Sequence, residues 1–359
     1  MKFKISIQPA WRVTRDEEVE LALPGLLALL AAIDELGQIE QACAHLKVSY
    51  RHGWGLLRTG EEVFGTPLVS KTRGRGTSLT ALGKKLLWAD KRIAARLAPT
   101  LDSLASELET ELMKDIEHRK QILRVHASHG FAVETLRGHL VEAAIPVELK
   151  YCGSLDAVAA LARGDCDVAG FHVPLGKFEA AAWEQYRRWL KPKKHRLIHL
   201  AVRQQGLFVP PGNPKNITGL DDLVRKDVVF VNRQPGSGTR ILLDLLLDER
   251  GLDNDQIHGF RNAELTHAAV AAYIASGMAD VGFGVHTAAH RFHLDFVPIA
   301  DERYFIACNA SMMKSDAVRG MLEIMQHENF HAVVDRLPGY DSTDAGQQLT
   351  LDQAIPPAP

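Results

Sequence analysis

Residues 228–251 read VVFVNRQPGSGTRILLDLLLDERG. Four apolar, β-compatible residues lead into a glycine-rich turn, and an apolar run with helical spacing follows that turn. Backbone N–H groups are exposed at such a junction, and the dipole of the following helix favours negative charge there. The stretch therefore predicts an α/β architecture in which the loop 236–240 holds an anion.

The loop 236–240 fits neither common nucleotide-binding fingerprint. A Walker A motif requires a Gly-Lys pair that is missing here, and the dinucleotide pattern requires a third glycine where Ile241 stands. Two hydroxyls, two amides and a guanidinium remain at the helix start, a set that suits a compact oxyanion or a carboxylate. A turn whose Ser237 and Thr239 only cap the helix is the structural alternative.

Strands and helices alternate from about residue 122 onward, which is typical of a parallel α/β sheet. In this architecture ligands bind at the carboxyl ends of strands, and short polar residues follow several of the predicted strands. Each of these residues alone is more typical of a helix cap. Together with the glycine loop they form the predicted effector-binding set: Ser128, His129, Ser154, His172, Ser237, Gly238, Thr239, Arg240, Thr266 and His267.

The first third of the chain has a different pattern. Two short helices joined by a tight turn, the second capped by Ser49, predict a helix-turn-helix. The following stretch 67–80, PLVSKTRGRGTSLT, predicts a hairpin with a basic tip, or wing. The recognition helix would enter the major groove and the wing would meet phosphates or the minor groove. The candidate DNA contacts are Ser49, Tyr50, Arg51, His52, Arg58, Lys71, Arg73 and Arg75.

Apolar residues recur at steps of three and four between residues 79 and 112, which predicts a long helix that pairs with another helix. Pro99 should kink this helix or start a second one. A homodimer or homotetramer formed through 79–112 is the favoured interpretation, and packing of the helix on its own domain is the alternative. The charged stretch 114–121 predicts a linker.

The composition limits the class of protein. A chain of 359 residues predicts two or three domains. A net charge of −2 with 46% apolar residues is typical of a soluble globular protein, so a DNA-binding surface must be local. No signal-like or membrane-spanning stretch occurs, so we expect a cytoplasmic protein without a membrane partner. Four widely spaced cysteines indicate reduced thiols rather than a zinc module.

Several segments resemble known families. HLAVRQQGLFVPPGNP, VNRQPGSGTRILLDLLL, THAAVAAYIASGMADVGFG and DFVPIADERYF are together similar to the periplasmic-binding-protein-like (PBP-like, type II) domain of bacterial one-component regulators, over about residues 122–340. SYRHGWGLLR and the wing, within residues 20–112, resemble the winged helix of ModE-type and LysR-type regulators. The PBP-like domain type also occurs beside molybdenum-cofactor proteins, which implies molybdate or tungstate. Tandem β-barrels of the ModE kind do not follow, so this effector is not carried over from ModE.

The predicted fold class is multidomain: an α-rich winged helix-turn-helix with a long linker helix, then a two-lobed α/β domain of the PBP-like type. The predicted boundaries are 1–78 for the DNA-binding domain, 79–121 for the linker helix, 122–345 for the effector domain and 346–359 for a flexible tail. Within the effector domain, we predict one lobe at about 122–200 with 301–345, a second at about 201–300, and hinge strands near 199–203 and 296–300.

The predicted function is that of a cytoplasmic bacterial transcription regulator that binds double-stranded DNA at two-fold related half-sites and senses a small anion between its lobes. A molybdate-type or tungstate-type oxyanion is favoured, and formate or another small carboxylate is the alternative. A solute-binding protein is more remote because no signal-like stretch occurs and the predicted winged helix leads the chain. A small-molecule enzyme is more remote because no HExxH or GxSxG motif occurs. We predict no cofactor. His286, His290 and His293 have helical spacing, but a solvated helix face is favoured over a metal site.

Overall fold

The computed structural model describes residues 4–15, 19–72, 76–116 and 122–355. The chain forms two compact units, residues 8–97 and the remainder. The boundary between them falls inside a long helix, and each unit has its own apolar core.

The first unit consists of a short hairpin, three helices, a second hairpin and the start of the long helix. Its elements are β1 (Arg12–Arg15), β2 (Val19–Ala22), α1 (Pro24–Leu36), α2 (Ile39–His45), α3 (Tyr50–Phe64), β3 (Val69–Thr72), β4 (Gly76–Leu79) and α4 (Ala81–Ile116). β3 and β4 pair antiparallel, with Val69 opposite Leu79. Three helices and a hairpin thus form where the sequence predicts a helix-turn-helix and a wing. The tip of that hairpin, with Arg73 and Arg75, lies outside the described residues.

Local signals set the helix boundaries in the first unit. α1 buries leucines at helical spacing, among them Leu26, Leu29 and Leu30, and ends at Gly37 in a left-handed conformation with φ of 70°. The Oγ of Ser49 accepts a hydrogen bond from the amide of His52 at 3.1 Å, which caps α3. Both boundaries agree with those expected from the sequence.

Two glycines let α3 approach its neighbours closely. A Cβ atom at Gly53 would lie 2.4 Å from the Sγ of Cys43 in α2, and a Cβ atom at Gly60 would lie 2.8 Å from a methyl of Leu26 in α1. Real Cβ atoms do not come this close to such neighbours, so the missing side chains allow the three helices to pack together.

The long helix α4 corrects one of the two expectations for Pro99, that a second helix begins there. α4 runs from Ala81 to Ile116 without a break, and Pro99 lies inside it. A proline removes only one backbone hydrogen bond from the ladder, the one that its own nitrogen would donate to the carbonyl four residues earlier, so the helix continues on its other bonds. The helix also includes the first residues of the stretch 114–121, where the sequence indicated a linker.

The second unit is an α/β structure around one large sheet. Its elements are β5 (Leu123–Ala127), α5 (Phe131–Glu142), β6 (Val147–Tyr151), α6 (Ser154–Arg163), β7 (Val168–Pro174), α7 (Glu179–Arg187), β8 (His195–Val209), β9 (Phe230–Arg233), α8 (Gly238–Glu249), β10 (Ala263–Glu264), α9 (His267–Ala275), β11 (Val281–Val285), α10 (His286–Arg291), β12 (Asp295–Asn309), α11 (Asp316–Gln326), α12 (Glu328–Val334), β13 (Tyr340–Asp341), β14 (Gln348–Leu349) and α13 (Leu351–Ala354).

The sheet has the strand order β10-β9-β11-β8-β12-β7-β5-β6. β5, β6 and β7 are parallel to one another, and so are β9, β10 and β11. Between these groups the two longest strands, β8 and β12, pair antiparallel from Asp295 opposite Val209 to Asn309 opposite His195. We refer to the side with β5, β6 and β7 as the first half of the sheet and to the side with β9, β10 and β11 as the second half.

The two long strands change partners near their middle. β12 pairs with β7 only from residue 302 onward, and β8 pairs with β11 only over residues 205–208. The hinge segments predicted near 199–203 and 296–300 do not face each other, because the antiparallel register places Ala201 opposite Tyr304. The change of partners instead occurs at residues 203–205 of β8 and 300–302 of β12.

The end of the chain is more ordered than expected for a flexible tail from residue 346. β14 pairs with β8, with Gln348 opposite Ile198. Leu351 and Ala354 of α13 are buried in an apolar cluster that includes Trp183. These apolar side chains anchor the segment as far as Ile355, and residues 356–359 lie outside the described part of the chain.

The cysteines carry no disulfide bond: Cys43, Cys166 and Cys308 are buried and Cys152 is half-buried. Burial raises the pKa of the Cys152 thiol to about 11. Within the described ranges, none of the helices combines the length and the apolar character that a bilayer span requires.

Candidate functional site

Three polar side chains meet beside β7 in the first half of the sheet. Ser128 follows β5, Ser154 begins α6, and His172 lies in β7. The Nδ1 atom of His172 is 3.0 Å from the Oγ of Ser128 and 3.3 Å from the Oγ of Ser154. The parallel strands β5 and β7 bring these predicted residues together.

Two tyrosines also hold His172: Tyr304 packs against its ring, and Tyr186 bonds its backbone. The rings of His172 and Tyr304 meet edge to face with centroids 4.4 Å apart, and the Tyr304 hydroxyl donates to the carbonyl of Ser128 at 2.9 Å. The Tyr186 hydroxyl donates to the carbonyl of His172 at 2.9 Å. The Nε2 atom of His172 is buried without a hydrogen-bond partner among the described residues, 4.0 Å from Oε1 of Glu302.

A buried ion pair lies where β8 and β12 change partners. Arg203 donates through Nε and Nη2 to Oε1 of Glu302, and the amide of Gln205 donates to the same oxygen at 2.9 Å. Gln205 also donates to Oγ1 of Thr239, at the start of α8, at 3.1 Å. Because removing two charges from water is costly, a buried pair needs additional hydrogen bonds of this kind.

The second half of the sheet contributes Arg233 at the end of β9 and His267 at the start of α9. Nη2 of Arg233 donates to the carbonyl of Leu265 at 3.0 Å, whereas its buried Nε has no partner in the described ranges, and neither has Nδ1 of His267. Gly284 in β11 makes room for this imidazole, since a Cβ there would lie 2.7 Å from its Nδ1. Burial and the charge of Arg203 lower the pKa of Arg233 to about 10, so it is charged at neutral pH.

These groups lie close enough for their charges to act on one another. Burial and then Arg203 and Arg233 hold the pKa of His172 well below its usual value, and burial and the same two arginines do so for His267. Both imidazoles are therefore neutral at pH 7. We call the set of His172, Arg203, Arg233, His267 and Glu302 the cleft cluster.

The guanidinium of Arg240, in the glycine loop, is engaged by neighbours in its own half of the sheet. The Nε of Arg240 donates to both carboxylate oxygens of Asp244, at 2.8 and 3.0 Å, and the guanidinium stacks 4.0 Å over the ring of Phe260. An acidic residue one turn along a helix is a ready partner for an arginine. The helix itself therefore engages Arg240.

Two more predicted residues cap helices with their hydroxyls. The Oγ of Ser237 accepts from the amide of Arg240 at 3.2 Å, and Gly238 is the first residue of α8. The Oγ1 of Thr266 accepts from the amide of Ala269 at 2.9 Å and caps α9. The capping alternative for Ser237 is thus the role that the structure gives it.

Thr239 and His129 lie nearer to the cleft cluster. Thr239 is buried and receives the hydrogen bond from Gln205. His129 is 2.9 Å from the carboxylate of Glu134, and its charge contributes to the lowered pKa of both His172 and His267. Thr239 is thus linked to the cleft cluster by its hydrogen bond with Gln205. His129 is linked to it by its electrostatic effect on His172 and His267.

Four residues of the site were missing from the sequence-based set: Arg203, Gln205, Arg233 and Glu302. They lie within strands, whereas the prediction considered residues in the loops that follow strands. A signal was present, because Arg203 interrupts the apolar run LAVRQQGLFV and Arg233 ends the run VVFVNR. A charge in a buried apolar strand needs a partner of opposite charge or a ligand.

Ser128, His172 and Glu302 have the residue types of a hydrolytic triad, but their arrangement does not activate the serine. The 4.0 Å between Nε2 of His172 and Oε1 of Glu302 exceeds a hydrogen bond, and that oxygen already receives Arg203. The two arginines also oppose the imidazolium that general-base catalysis requires. Buried cationic groups and ring nitrogens that lack hydrogen-bond partners among the described residues suit the binding of an anion instead.

The candidate DNA contacts on α3 and the hairpin lie at the surface of the first unit. Tyr50, Arg51 and His52 are exposed, while the hydroxyl of Ser49 is engaged in the helix cap. Two of the other side chains have neighbours within this unit. The Nε of Arg58 pairs with Glu62 at 3.0 Å, with both side chains mostly exposed. The ammonium of Lys71 lies 4.3 Å from the ring centroid of Trp54.

His286, His290 and His293 do not share one helix face. α10 ends at Arg291, and His293 has a left-handed backbone with φ of 55°. The ring of His286 stacks on that of Phe296 with centroids 4.2 Å apart. Within the described part of the chain, no group of three or more metal-ligating side chains is placed to hold a metal ion.

Residues 137–326 match the family model of the PBP superfamily domain. The uncharacterized protein YvgK of Bacillus subtilis (strain 168) is 34% identical over 227 residues, which cover 62% of this chain and 72% of YvgK. OxyR of Corynebacterium glutamicum matches with a TM-score of 0.42 at 14% identity, over 83% of this chain and 89% of that one. CbnR, a LysR family transcriptional regulator, matches with a TM-score of 0.38 at 18% identity, over 83% and 97%.

At these TM-scores the two solved structures carry no inference about ligand or partner. The family model covers more than half of the chain, and YvgK is similar over most of its own length. The chain therefore belongs to the PBP superfamily.

Proposed function

We propose that this protein is a transcription regulator that binds double-stranded DNA through its first unit and a small anion through its PBP domain. The cleft cluster is the observation that carries the proposal. The Nε of Arg233, the Nε2 of His172 and the Nδ1 of His267 are buried there without a hydrogen-bond partner among the described residues. An unsatisfied buried polar group costs about 1–3 kcal/mol, and more when it is charged. An anion in this place supplies an acceptor to the Nε–H group of Arg233 and to each of these ring nitrogens that carries a hydrogen.

The positions of the donors support an oxyanion of the molybdate or tungstate type. Arg233 and His267 come from the second half of the sheet, His172 comes from the first half, and Arg203 lies between them. A tetrahedral ligand offers oxygens in four directions and can meet donors from several elements. It would also connect the two halves of the sheet, so that binding favours one arrangement of them.

Formate or another small carboxylate is the second candidate. The planar guanidinium of Arg233 can bind a carboxylate through two parallel hydrogen bonds. The Nε of Arg233 has no hydrogen-bond partner among the described residues, which keeps this possibility open. Such a ligand would leave more of the buried ring nitrogens without acceptors.

The exposed basic residues of the first unit support the DNA-binding part of the proposal. Arg51 and His52 stand in the first turn of α3, at the surface, where a recognition helix presents its base contacts. Regulators of this class act in the cytoplasm on two-fold related sites, so a homodimer or homotetramer through 79–112 belongs to the same proposal. We treat the protein as a sensor rather than an enzyme, because the serine near His172 lacks an activated base.

A thermal-shift screen tests the anion site. Molybdate, tungstate, sulfate, phosphate and formate are each titrated against the full-length protein, and the bound anion should raise the melting temperature increasingly above its dissociation constant. Arg233→Ala should abolish the response. Arg240→Ala is the matched control and should retain it, because Arg240 is engaged by Asp244. Equal loss in the two variants, or no response to any anion, would contradict the site.

Fluorescence anisotropy tests the DNA-binding function on duplexes that the protein itself selects from a random pool. Arg51→Ala should weaken binding about tenfold or more, as expected from the loss of a base or phosphate contact. The anion found in the thermal-shift screen should change the affinity of the unaltered protein for the selected duplex. Selection of no sequence at all would rule out this part of the proposal.

A further inference from the structure

The buried charges of the cleft cluster limit the charge of its ligand, an inference that rests on the anion site proposed above. Arg203 and Arg233 are cationic and Glu302 is a carboxylate, so these three groups carry one net positive charge. A ligand with a single negative charge balances them. A ligand with two negative charges would leave one uncompensated charge in a site removed from water, which is costly.

We propose that a doubly charged oxyanion enters the cleft cluster together with one proton, and that His172 or His267 receives this proton. Each imidazole has a ring nitrogen buried without a partner among the described residues: Nε2 of His172 and Nδ1 of His267. A protonated ring would place an N–H group on that nitrogen and supply the missing positive charge. The site would then accept a dianion without losing electrical balance.

The surroundings of His172 permit both protonation states. Its Nδ1 lies within hydrogen-bond distance of the hydroxyls of Ser128 and Ser154, and a hydroxyl can either donate to this nitrogen or accept from it. Gain of a proton therefore breaks none of these bonds. The Oε1 of Glu302, 4.0 Å from Nε2, lies on the side where the new positive charge would form.

His267 is the second candidate for the proton. The charged or titratable groups whose fields act on it are Arg233, Arg203, His129 and His172. The same two arginines and His129 act on His172, which also contacts Tyr304. All of the arginine contributions oppose a second positive charge, so neither ring is protonated before an anion arrives. A dianion placed among these groups reverses the sign of the local field.

The proton uptake gives the affinity a defined pH dependence. Both imidazoles have a pKa well below the usual value in the ligand-free protein, and a dianion raises it. Between the free and the bound pKa, binding takes up a proton, so the affinity for a dianion increases as the pH falls. The limit is about tenfold per pH unit for one proton. A monoanion such as formate should show no such dependence.

Isothermal titration calorimetry measures the proton directly. Tungstate, sulfate and formate are titrated into the full-length protein at a fixed pH, in several buffers with different enthalpies of ionisation. The slope of the observed enthalpy against the buffer enthalpy gives the number of protons taken up. We expect about one proton, or a defined fraction of one, for each dianion that binds and none for formate.

Glutamine variants identify the group that receives the proton. His172→Gln and His267→Gln keep a polar side chain that does not titrate, and one of them should abolish the uptake. His286→Gln is the control, because this ring stacks on Phe296 and is not among the groups coupled to the two imidazoles. Circular dichroism verifies the fold of each variant.

The outcomes separate the two proposals. Binding of a dianion without proton uptake between about pH 6 and pH 8 would overturn this inference and leave the anion site intact. Uptake that persists in both variants, and in the double variant, would also overturn it. The absence of binding for every anion would remove the proposed site and this inference together.

Discussion

At the scale of single residues, two buried histidines outside the cleft cluster should contribute to the response of the protein to acid. His195 and His199 lie in the first half of β8, and burial lowers the pKa of each to about 4. The Nδ1 of His195 accepts a hydrogen bond from the amide of Lys191 at 2.9 Å. That nitrogen must be unprotonated to accept, so protonation would both charge a buried ring and remove a bond.

We therefore expect the free energy of unfolding to decrease as the pH falls from about 6.5, the unfolded value, toward 4. In this window the unfolded chain binds more protons than the folded one. The contribution of the two histidines to the free energy of unfolding is therefore complete above about pH 6.5 and decreases as the pH falls toward 4. The limit is about 1.4 kcal/mol per pH unit for each histidine. Urea unfolding at stepped pH measures the slope.

His195→Gln should reduce that slope by the share of one histidine, whereas His45→Gln, at an exposed position of α2, should leave it unchanged. An identical slope in the His195 variant would show that other groups control acid unfolding.

Residue chemistry in the sequence identified part of the proposed anion site. Ser128, Ser154, His172 and His267 were predicted because short polar residues follow or begin elements at one edge of a parallel sheet, and the structure brings Ser128, Ser154 and His172 together. The sequence alone did not show that Asp244, four residues along the same helix, engages the guanidinium of Arg240. Arg203 and Arg233 were missed because the alternation of side chains along a strand does not show which face of the sheet lines the site.

At the scale of elements, the packing of α3 depends on the glycines in YRHGWGLLRTG. Gly53 faces the Sγ of Cys43 so closely that a methyl group does not fit. Gly55, one half-turn away, is exposed and has no atom within 4 Å of an added Cβ. The two positions therefore form a matched pair in one helix.

Gly53→Ala should destabilise the first unit by about 1–3 kcal/mol through overpacking, despite the better helix propensity of alanine. Gly55→Ala should be neutral or stabilise the helix by up to about 1 kcal/mol. Chemical denaturation followed by circular dichroism compares the two. Similar stabilities for both variants would show that α2 and α3 do not pack as closely as the structure indicates.

Most helices and strands could be predicted from the sequence because their apolar residues recur with a clear period and their ends carry capping residues. Ser49 and Gly37 are examples. Three features did not follow from the local pattern. α4 continues through Pro99 because its other hydrogen bonds hold it, α10 stops before His293 because that backbone is left-handed, and α13 folds because Leu351 finds a distant apolar cluster.

At the scale of the whole molecule, α4 exposes a row of leucines between residues 97 and 112. Leu97, Leu104, Leu108 and Leu112 are each between 38% and 46% exposed, at spacings of seven and four residues. This spacing keeps side chains on one helix face, as in a helix pair. Since a large apolar stripe in water is unfavourable, a second copy of the same helix is the partner that we propose for it.

Glutamates at the middle of this stripe should separate the subunits. We expect Leu104→Glu combined with Leu108→Glu to lower the molar mass measured by analytical ultracentrifugation to that of a monomer. Leu265→Glu is the control, because this leucine is 52% exposed but lies away from α4, before α9. An unchanged mass in the double variant would place the subunit contact elsewhere.

The change of partners in β8 and β12 has a mechanical consequence. Arg203, Gln205 and Glu302 stand at that point, so groups of the proposed anion site also lie where the two halves of the sheet join. If the two halves of the sheet rotate about this point, the displacement of a strand grows with its distance from it. The displacement is then largest at the edge strands β6 and β10, which lie at opposite ends of the sheet. A shift of a fraction of an ångström around Arg203 would thus become a larger sweep at the rims of the domain.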